Sequence, residues 1–291
     1  MSDGTRKFPP WLRKRLPRAG ELDEVCEMLE EDQLNTVCQE ARCPNRCECF
    51  SRGTATFMIL GRVCTRNCRF CAVSSGDPDE VDPDEPLRVA RAAEKLGLSH
   101  VVITSVTRDD LPDGGSRQFA HTIRAVRDRC EATVEVLTPD FEGREEDIEC
   151  VIEARPHVFN HNIETVPRLY PEVRPDADYR RSLDVLQQVS DRNITTKSGL
   201  MLGLGETMGE VLEVMRALRE VECQALTLGQ YLCPGEETHH EVVDYIAPDK
   251  FENYREKALE MGFVGVVSGP FVRSSYNAGK LAEELLGRQS A

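Results

Sequence analysis

Phe57-Met58-Ile59-Leu60-Gly61-Arg62-Val63-Cys64-Thr65-Arg66-Asn67-Cys68-Arg69-Phe70-Cys71-Ala72-Val73 is the stretch from which the rest of the chain can be read. Its apolar run suits a buried strand, and the strand ends in a loop with cysteines spaced C-x3-C-x2-C. Three thiolates this close can hold three irons of a four-iron cluster and leave the fourth iron without a protein ligand. An open iron can bind a small molecule, so the spacing implies reactivity rather than electron storage. A structural zinc site is the alternative; it needs a fourth ligand and usually repeats C-x2-C pairs.

Downstream of the loop the chain alternates. Apolar strands are predicted at 55–60, 100–105, 132–138, 157–160, 194–202, 224–229 and 262–267. Helical patterns lie between them, at about 86–97, 116–130, 145–154, 178–190, 208–221 and 248–261. Such alternation predicts a parallel sheet with helical crossovers, and this many units favour an α/β fold closed into a partial (β/α)6-type barrel. Polar residues follow several strands, where such folds place their chemistry: Thr104-Ser105, Thr138, Asn160-His161-Asn162 and Gly229-Gln230. Adjacent His239-His240 reads as a solvated loop.

Upstream lies a second cysteine group. Cys38, Cys43 and Cys49 are spaced C-x4-C-x5-C, with Cys47 between them. These thiols could close a zinc site or hold a second iron–sulfur cluster, and the spacing leaves both open. Before them, Leu22, Val25, Leu29 and Leu34 suit a short helix over Glu21–Leu34 with Cys26 buried inside it. Residues 1–20 read as an irregular basic arm tied down by Trp11.

Whole-chain properties narrow the class. With 291 residues, 40% hydrophobic and 30% charged, the chain is long enough for one large globular core. No apolar run approaches the roughly 20 residues of a membrane span, so no membrane partner is expected. The arm has no apolar signal core, which argues against export and for the cytoplasm. A net charge of −15 argues against nucleic acid as the main partner. Acidic residues number 51 and lysines are scarce, which fits a salt-rich cytoplasm; stability indifferent to salt would refute that reading. Twelve cysteines in so long a chain, eight of them between Cys26 and Cys71, read as metal ligation in a reducing compartment.

With Phe70 just before its last cysteine, the Cys64–Cys71 loop resembles the signature of the radical S-adenosylmethionine superfamily. A closer resemblance, to the lipoyl synthase family, covers most of the chain. It rests on Pro10-Trp11-Leu12, Thr36-Val37-Cys38 through Pro44-Asn45, Ala55 to Gly61, Cys64 to Val73 and Arg108-Asp109-Asp110-Leu111-Pro112-Asp113-Gly114-Gly115. Further stretches are Phe159-Asn160-His161-Asn162, Glu164-Thr165-Val166-Pro167, Gly199 through Thr207, Leu226 through Leu232 and Gly269-Pro270-Phe271-Val272-Arg273-Ser274-Ser275-Tyr276. Departures are Cys47 for an expected glycine, Cys233 for glutamine, Asn277 for histidine and Thr107 for aspartate.

The resemblance implies a fold, cofactors and a reaction. It implies a barrel core at 54–270, an N-terminal extension at 1–53 and a C-terminal segment at 271–291. Two 4Fe-4S clusters are implied. Cys64, Cys68 and Cys71 would hold one, and Cys38, Cys43, Cys49 and Ser274 the auxiliary one, with Ser275 the less favoured hydroxyl. Read alone, Ser274-Ser275 would be hydroxyls in a turn before the final helix. Chelation of S-adenosyl-L-methionine at the open iron would lead to a 5′-deoxyadenosyl radical, and the auxiliary cluster would be consumed as the sulfur source. Two sulfurs would enter an octanoyl chain, at C6 and then C8, carried on a lysine of a lipoyl-accepting protein (a lipoyl domain or a glycine-cleavage H-type protein). An electron donor such as ferredoxin or flavodoxin is implied as a partner. Asp109, Asp110, Asn162, Glu164 and Glu206 are the candidate cofactor contacts, and the glycines at 199 and 203 would let backbone approach the adenine. Arg174 and Arg273 would neutralise carboxylates of cofactor or substrate, and His161 sits inside a matched motif.

Overall fold

Parallel strands need long crossovers, and here the crossovers are the amphipathic helices expected between the apolar runs. The computed structural model describes residues 8–13, 27, 29–40, 43, 45, 48–49, 56–235 and 238–289. Cys26, Cys47, most of the basic arm and most of the first half of the expected Glu21–Leu34 helix lie outside them. Within the arm, Leu12 is buried while Trp11 is 38% exposed. The arm is therefore held by Leu12, and by Phe8 stacked 5.7 Å from the Tyr245 ring, rather than by Trp11.

A short strand β1 (Asn35–Thr36) leads into α1 (Val37–Glu40) and runs antiparallel to β2 (Thr56–Ile59). Next come β3 (Val63–Cys64) and β4 (Ser74–Ser75), which pair with each other around the cysteine loop. The barrel continues through α2 (Glu85–Lys95), β5 (His100–Ser105), α3 (Ser116–Arg129), β6 (Thr133–Leu137), α4 (Glu145–Glu153) and β7 (Val158–Asn160). It ends with α5 (Tyr170–Val173), α6 (Tyr179–Ser190), β8 (Thr195–Leu202), α7 (Met208–Glu220), β9 (Ala225–Gln230), α8 (Pro248–Glu260), β10 (Gly265–Gly269) and α9 (Ala278–Gln289). The sheet order is β1-β2-β5-β6-β7-β8-β9-β10, parallel from β2 onward, and because it ends at β1 and β10 the barrel is partial.

Local chemistry sets the helix boundaries. Thr207 and Glu210 form a capping box at the start of α7, and Asp178 caps α6 by accepting from the Arg181 amide. Apolar faces of these helices bury Phe119, Ile123, Leu186, Val214, Met215 and Phe251 against the outside of the sheet. Because both faces of the sheet are covered, its strands are nearly continuous buried runs, as in β5 and β9. The last helix packs across strand starts. A side chain on Gly265, first residue of β10, would meet Leu281 at 2.5 Å, and Gly279 leaves 3.2 Å to His100, first residue of β5.

Inside the barrel Lys197 donates to Glu135 at 2.7 Å, both side chains 1% exposed. His100 Nε2 stands 3.5 Å from the other Glu135 oxygen, and His100 Nδ1 is 2.6 Å from the Thr133 hydroxyl. Burial alone would raise the Glu135 carboxyl, but the Lys197 charge and the His100 contact hold it below its ordinary value. Removing one partner leaves the other charge buried, so Lys197→Met should cost about 3–5 kcal/mol. Adding Glu135→Leu should recover most of that loss, and thermal melts of the cluster-free chain measure both. A double variant as unstable as the single one would contradict a paired-charge role.

Candidate active site

The carboxyl ends of the parallel strands carry the polar residues expected there, and the cysteine loop lies across the same end. Val63 and Cys64 extend through β3, and the Thr65 amide donates to the Thr107 carbonyl, anchoring the loop to the segment after β5. The Thr107 amide donates in turn to the Cys64 sulfur at 3.3 Å. A tight turn, with the Cys71 amide on the Cys68 carbonyl at 3.0 Å, links the second and third cysteines. Burial pushes the Cys68 thiol up to about 11, opposed by the Arg174 charge and added to by Cys64 and Glu164. Cys71 goes to about 12 by burial, with the Val73 amide opposing it and Cys68 and Cys64 adding to it. Thiols held this far up are protonated and unreactive near neutral pH, and the positive charge of bound iron is what ionises such ligands.

Arg66, between the first two cysteines, fixes the loop to the barrel. Only 7% exposed, its guanidinium donates to both Asp109 oxygens at 2.7 and 2.9 Å and to Asp140 at 2.7 Å. Asp140, fully buried after β6, also takes Arg181 at 3.3 Å. Burial would raise Asp140, but the Arg66 hydrogen bond and charge win and hold it far below the usual carboxylate range. Sequence reading placed Asp109 at the cofactor and passed over Arg66 and Asp140. Asp109 is bound to the loop that carries the thiols, and Asp110 is engaged by Arg108 at 2.8–3.2 Å.

Glu164 follows β7, in a left-handed backbone conformation (φ 67) with a bridge to Leu200. Asn162 Nδ2 donates to its carboxylate at 3.0 Å. Burial raises the Glu164 carboxyl while Arg174, the Asn162 bond and Arg273 pull it down. Arg174 is buried, donates to the carbonyls of Asn162 and Ile163 and to the Tyr170 hydroxyl, and stacks 5.2 Å from the Tyr170 ring. The short helix α5, which supplies Tyr170, carried no sequence signal long enough to be seen.

The glycines assigned to adenine have other neighbours. A side chain at Gly199 would lie 2.6 Å from the Thr227 hydroxyl, and one at Gly203 would lie 2.3 Å from both the Asp244 carbonyl and Gln230 Nε2. The chain's own groups fill the space these glycines leave. Glu206 closes the same turn by accepting from the amides of Gly203 (2.6 Å) and Leu204 (2.9 Å).

Around the mouth, Ser105 Oγ, Thr138 Oγ1, Asn160 Oδ1, His161 Nε2, Asn162 Oδ1 and Arg174 Nε are buried with no hydrogen-bond partner among the described residues. Burial, with the Arg174 charge, brings His161 down to about 4. Neutral His161 then donates from Nδ1 to the Thr138 carbonyl at 2.9 Å and leaves Nε2 as an acceptor. Buried polar atoms are rarely left unsatisfied. A ring of them at one end of the barrel, mixing donors and acceptors beside three thiols, fits a polar cofactor such as S-adenosyl-L-methionine.

The second cysteine set meets the far end of the chain. Cys38 is buried in α1, and burial pushes its thiol up to about 11 against bonds from Thr56, with Cys43 adding to the rise. Cys43 and Cys49 are half-buried; their amides donate to the carbonyls of Cys38 (3.2 Å) and Asn45 (2.9 Å). Asn45 Nδ2 donates to the Phe271 carbonyl at 2.6 Å, and the Tyr276 hydroxyl donates to Glu48 at 3.0 Å. These two bonds bracket half-buried Ser274 and Ser275. Arg273 is lowered by burial, against the attraction of Cys43 on one side and Glu164 on the other. The residue before Ser274 lies against Gly229, near the carboxyl end of β9.

A partial parallel barrel with an open-coordination cysteine loop at its mouth defines a radical S-adenosylmethionine enzyme. The Radical SAM superfamily model matches residues 58–218. Solved structures with the fold include a methylornithine synthase (TM-score 0.53, 11% identity, 72% of this chain and 69% of that one). Another is the coproporphyrinogen III oxidase of Escherichia coli, a radical SAM enzyme (TM-score 0.51, 13% identity, 75% and 56%). Among curated relatives, a lipoyl synthase of Caldanaerobacter subterraneus subsp. tengcongensis is 55% identical over 94% of this chain and 96% of its own. That of Rhodopirellula baltica is 55% identical over 96% and 89%. The chain belongs to the lipoyl synthase family.

Proposed function

We propose that the chain inserts two sulfur atoms, at C6 and C8, into an octanoyl group carried on a lysine of a lipoyl-accepting protein, forming lipoyl-lysine. The observation that carries this reading is the packing of the Phe271–Tyr276 segment on both the second cysteine set, through Asn45 and Glu48, and Gly229 near the carboxyl end of β9. Cys64, Cys68 and Cys71 hold one 4Fe-4S cluster; Cys38, Cys43, Cys49 and Ser274 hold the auxiliary one. When bound, the first with S-adenosyl-L-methionine supplies the 5′-deoxyadenosyl radical that removes hydrogen from carbon, and the second supplies sulfur.

The protein's own part is to position and to shield. The amides of Thr107 and Val73 support the thiolates of Cys64 and Cys71. Asn162, Ser105, Thr138 and His161 offer the unpaired atoms that the cofactor would meet, and Glu164 is held for the ribose by Asn162. Asp109 acts through Arg66, Asp110 through Arg108 and Glu206 through its turn, each shaping the wall rather than ending on it. In this reading 1–53 and 271–291 together form the auxiliary site on a barrel of 54–270. The partners are an octanoylated lipoyl domain or glycine-cleavage H-type protein and a ferredoxin- or flavodoxin-type electron donor, in the cytoplasm. Among the described residues no helix is long and apolar enough to cross a membrane.

The test is anaerobic reconstitution, iron and sulfide counting, then incubation with S-adenosyl-L-methionine, a reductant and an octanoyl-lysyl peptide. About eight irons per chain, deoxyadenosine and a peptide gaining two sulfurs are expected. Deoxyadenosine without thiolated peptide, or only about four irons, would defeat the assignment. Parallel Ser274→Ala and Ser275→Ala chains decide the hydroxyl ligand: Ser274→Ala should abolish thiolation, and no effect from it removes Ser274 from the ligand set.

A further inference from the structure

The loop after β9 contains His239 and His240, which sequence alone reads as solvated. Both are tied to the cysteine loop. His239 Nε2 lies 3.0 Å from the Cys71 carbonyl, and since a carbonyl can only accept, Nε2 carries the proton. Its Nδ1 is then the acceptor facing the Thr238 hydroxyl at 3.4 Å, a consistent neutral tautomer. One residue on, the His240 amide donates to the Arg69 carbonyl at 2.8 Å, and His240 Nε2 donates to the Leu204 carbonyl at 2.9 Å. The Tyr231 hydroxyl fixes the His240 carbonyl from behind at 2.6 Å.

The strand of chain continues in the same manner. The amides of Val243 and Asp244 both donate to the Gly203 carbonyl, at 2.8 and 3.3 Å. Gln230 donates to the Asp244 carbonyl at 3.0 Å and accepts from the Ile246 amide at 2.8 Å. Phe70, between Arg69 and Cys71, packs against the same apolar cluster as Cys233. The segment therefore touches two loops at once: the turn holding the third cysteine and the Gly203–Glu206 turn at the end of β8.

We infer that Thr238–Ile246 is a clasp that fixes the Cys68–Cys71 turn against the Gly203–Glu206 turn, with His239 and His240 as its positioning residues. Four carbonyls at a loop and a turn, those of Arg69, Cys71, Gly203 and Leu204, are not paired by regular secondary structure, so imidazole and amide donors supplied from a third element set where they stand. A shift of that turn would move the third sulfur relative to the polar ring at the strand ends, and sub-ångström placement matters for such chemistry. The inference rests on the cluster reading for its consequence but not for its geometry.

Two measurements separate these. Hydrogen exchange on the full-length cluster-free chain tests the clasp itself: His239→Ala should speed exchange at residues 69–73 and 239–246 by about ten-fold with little change in melting temperature. His239→Gln, whose amide can still donate to the Cys71 carbonyl, should stay near wild type. On the reconstituted chain, His239→Ala should release iron to a chelator faster from the Cys64–Cys71 set and alter the reduced-cluster spectrum on adding S-adenosyl-L-methionine. Unchanged exchange in His239→Ala, or equal impairment in His239→Gln, overturns the clasp. If wild type binds no iron while the exchange difference persists, the clasp stands and the cluster reading falls.

Discussion

Replacing Arg66 with methionine is expected to cost the protein about 3–5 kcal/mol and to abolish iron loading at Cys64, Cys68 and Cys71. The arginine is 7% exposed and is shared by Asp109 and Asp140, of which Asp140 is fully buried. Methionine fills similar space but leaves Asp140 with the Glu142 amide at 3.1 Å and the longer Arg181 ion pair at 3.3 Å. Lysine should rescue little, because one ammonium cannot reproduce a fork that meets both Asp109 oxygens and Asp140. The pH dependence has a defined sign. Asp140 is depressed in the folded state, so the stability it lends is complete above its unfolded value near ~3.9 and is lost as pH falls toward the folded one. The gap between wild type and Arg66→Met should therefore be flat from about pH 5 to 8 and close below about pH 4. Thermal melts of the cluster-free chains across that range measure it; a gap that widens in acid would contradict the assignment.

Gly229→Ala should separate the two halves of the chemistry. A methyl there would lie 2.0 Å from the Val272 carbonyl oxygen and 3.0 Å from its carbon. Both obstacles are backbone, which cannot rotate away, so the Phe271–Tyr276 segment must lift from the end of β9. Its bonds to Asn45 and Glu48 go with it, and with them the auxiliary site. The reconstituted variant should hold about four irons instead of about eight, still form deoxyadenosine and leave the octanoyl peptide unthiolated. Full iron content with normal thiolation would mean that the segment does not build that site.

Strand and helix positions of the barrel were legible because their signals are local and periodic: among the described residues all seven parallel strands and six of the seven long helices, all but α9, fall within a few residues of the expected ranges. What escaped notice was of two kinds. Short pieces such as α5 and the β3–β4 pair have too few residues to carry a period. Contacts between distant residues leave no mark on either partner alone. Arg66 looks like any other arginine in an arginine-rich chain until Asp109 and Asp140 are seen around it, 43 and 74 residues away. His239 and His240 looked solvated for the same reason. At Gly199 and Gly203 the neighbours that forbid a side chain are Thr227, Gln230 and Asp244, all distant in sequence. A motif indicates that small size is needed, not what presses against it.

The bonds from Asn45 to Phe271 and from Tyr276 to Glu48 span 226 and 228 residues. A ribosome adding roughly 5–20 residues each second exposes Cys38, Cys43 and Cys49 for something like ten to fifty seconds before their partners exist. In that interval the loop at 64–71 gains its own partners in turn, from Thr107 through Val173 to the Thr238–Ile246 segment. Birth order thus completes the surroundings of the Cys64–Cys71 loop first. The surroundings of Cys38, Cys43 and Cys49 are a property of the finished chain, and a polypeptide truncated before residue 271 would carry these cysteines without the segment that packs on them.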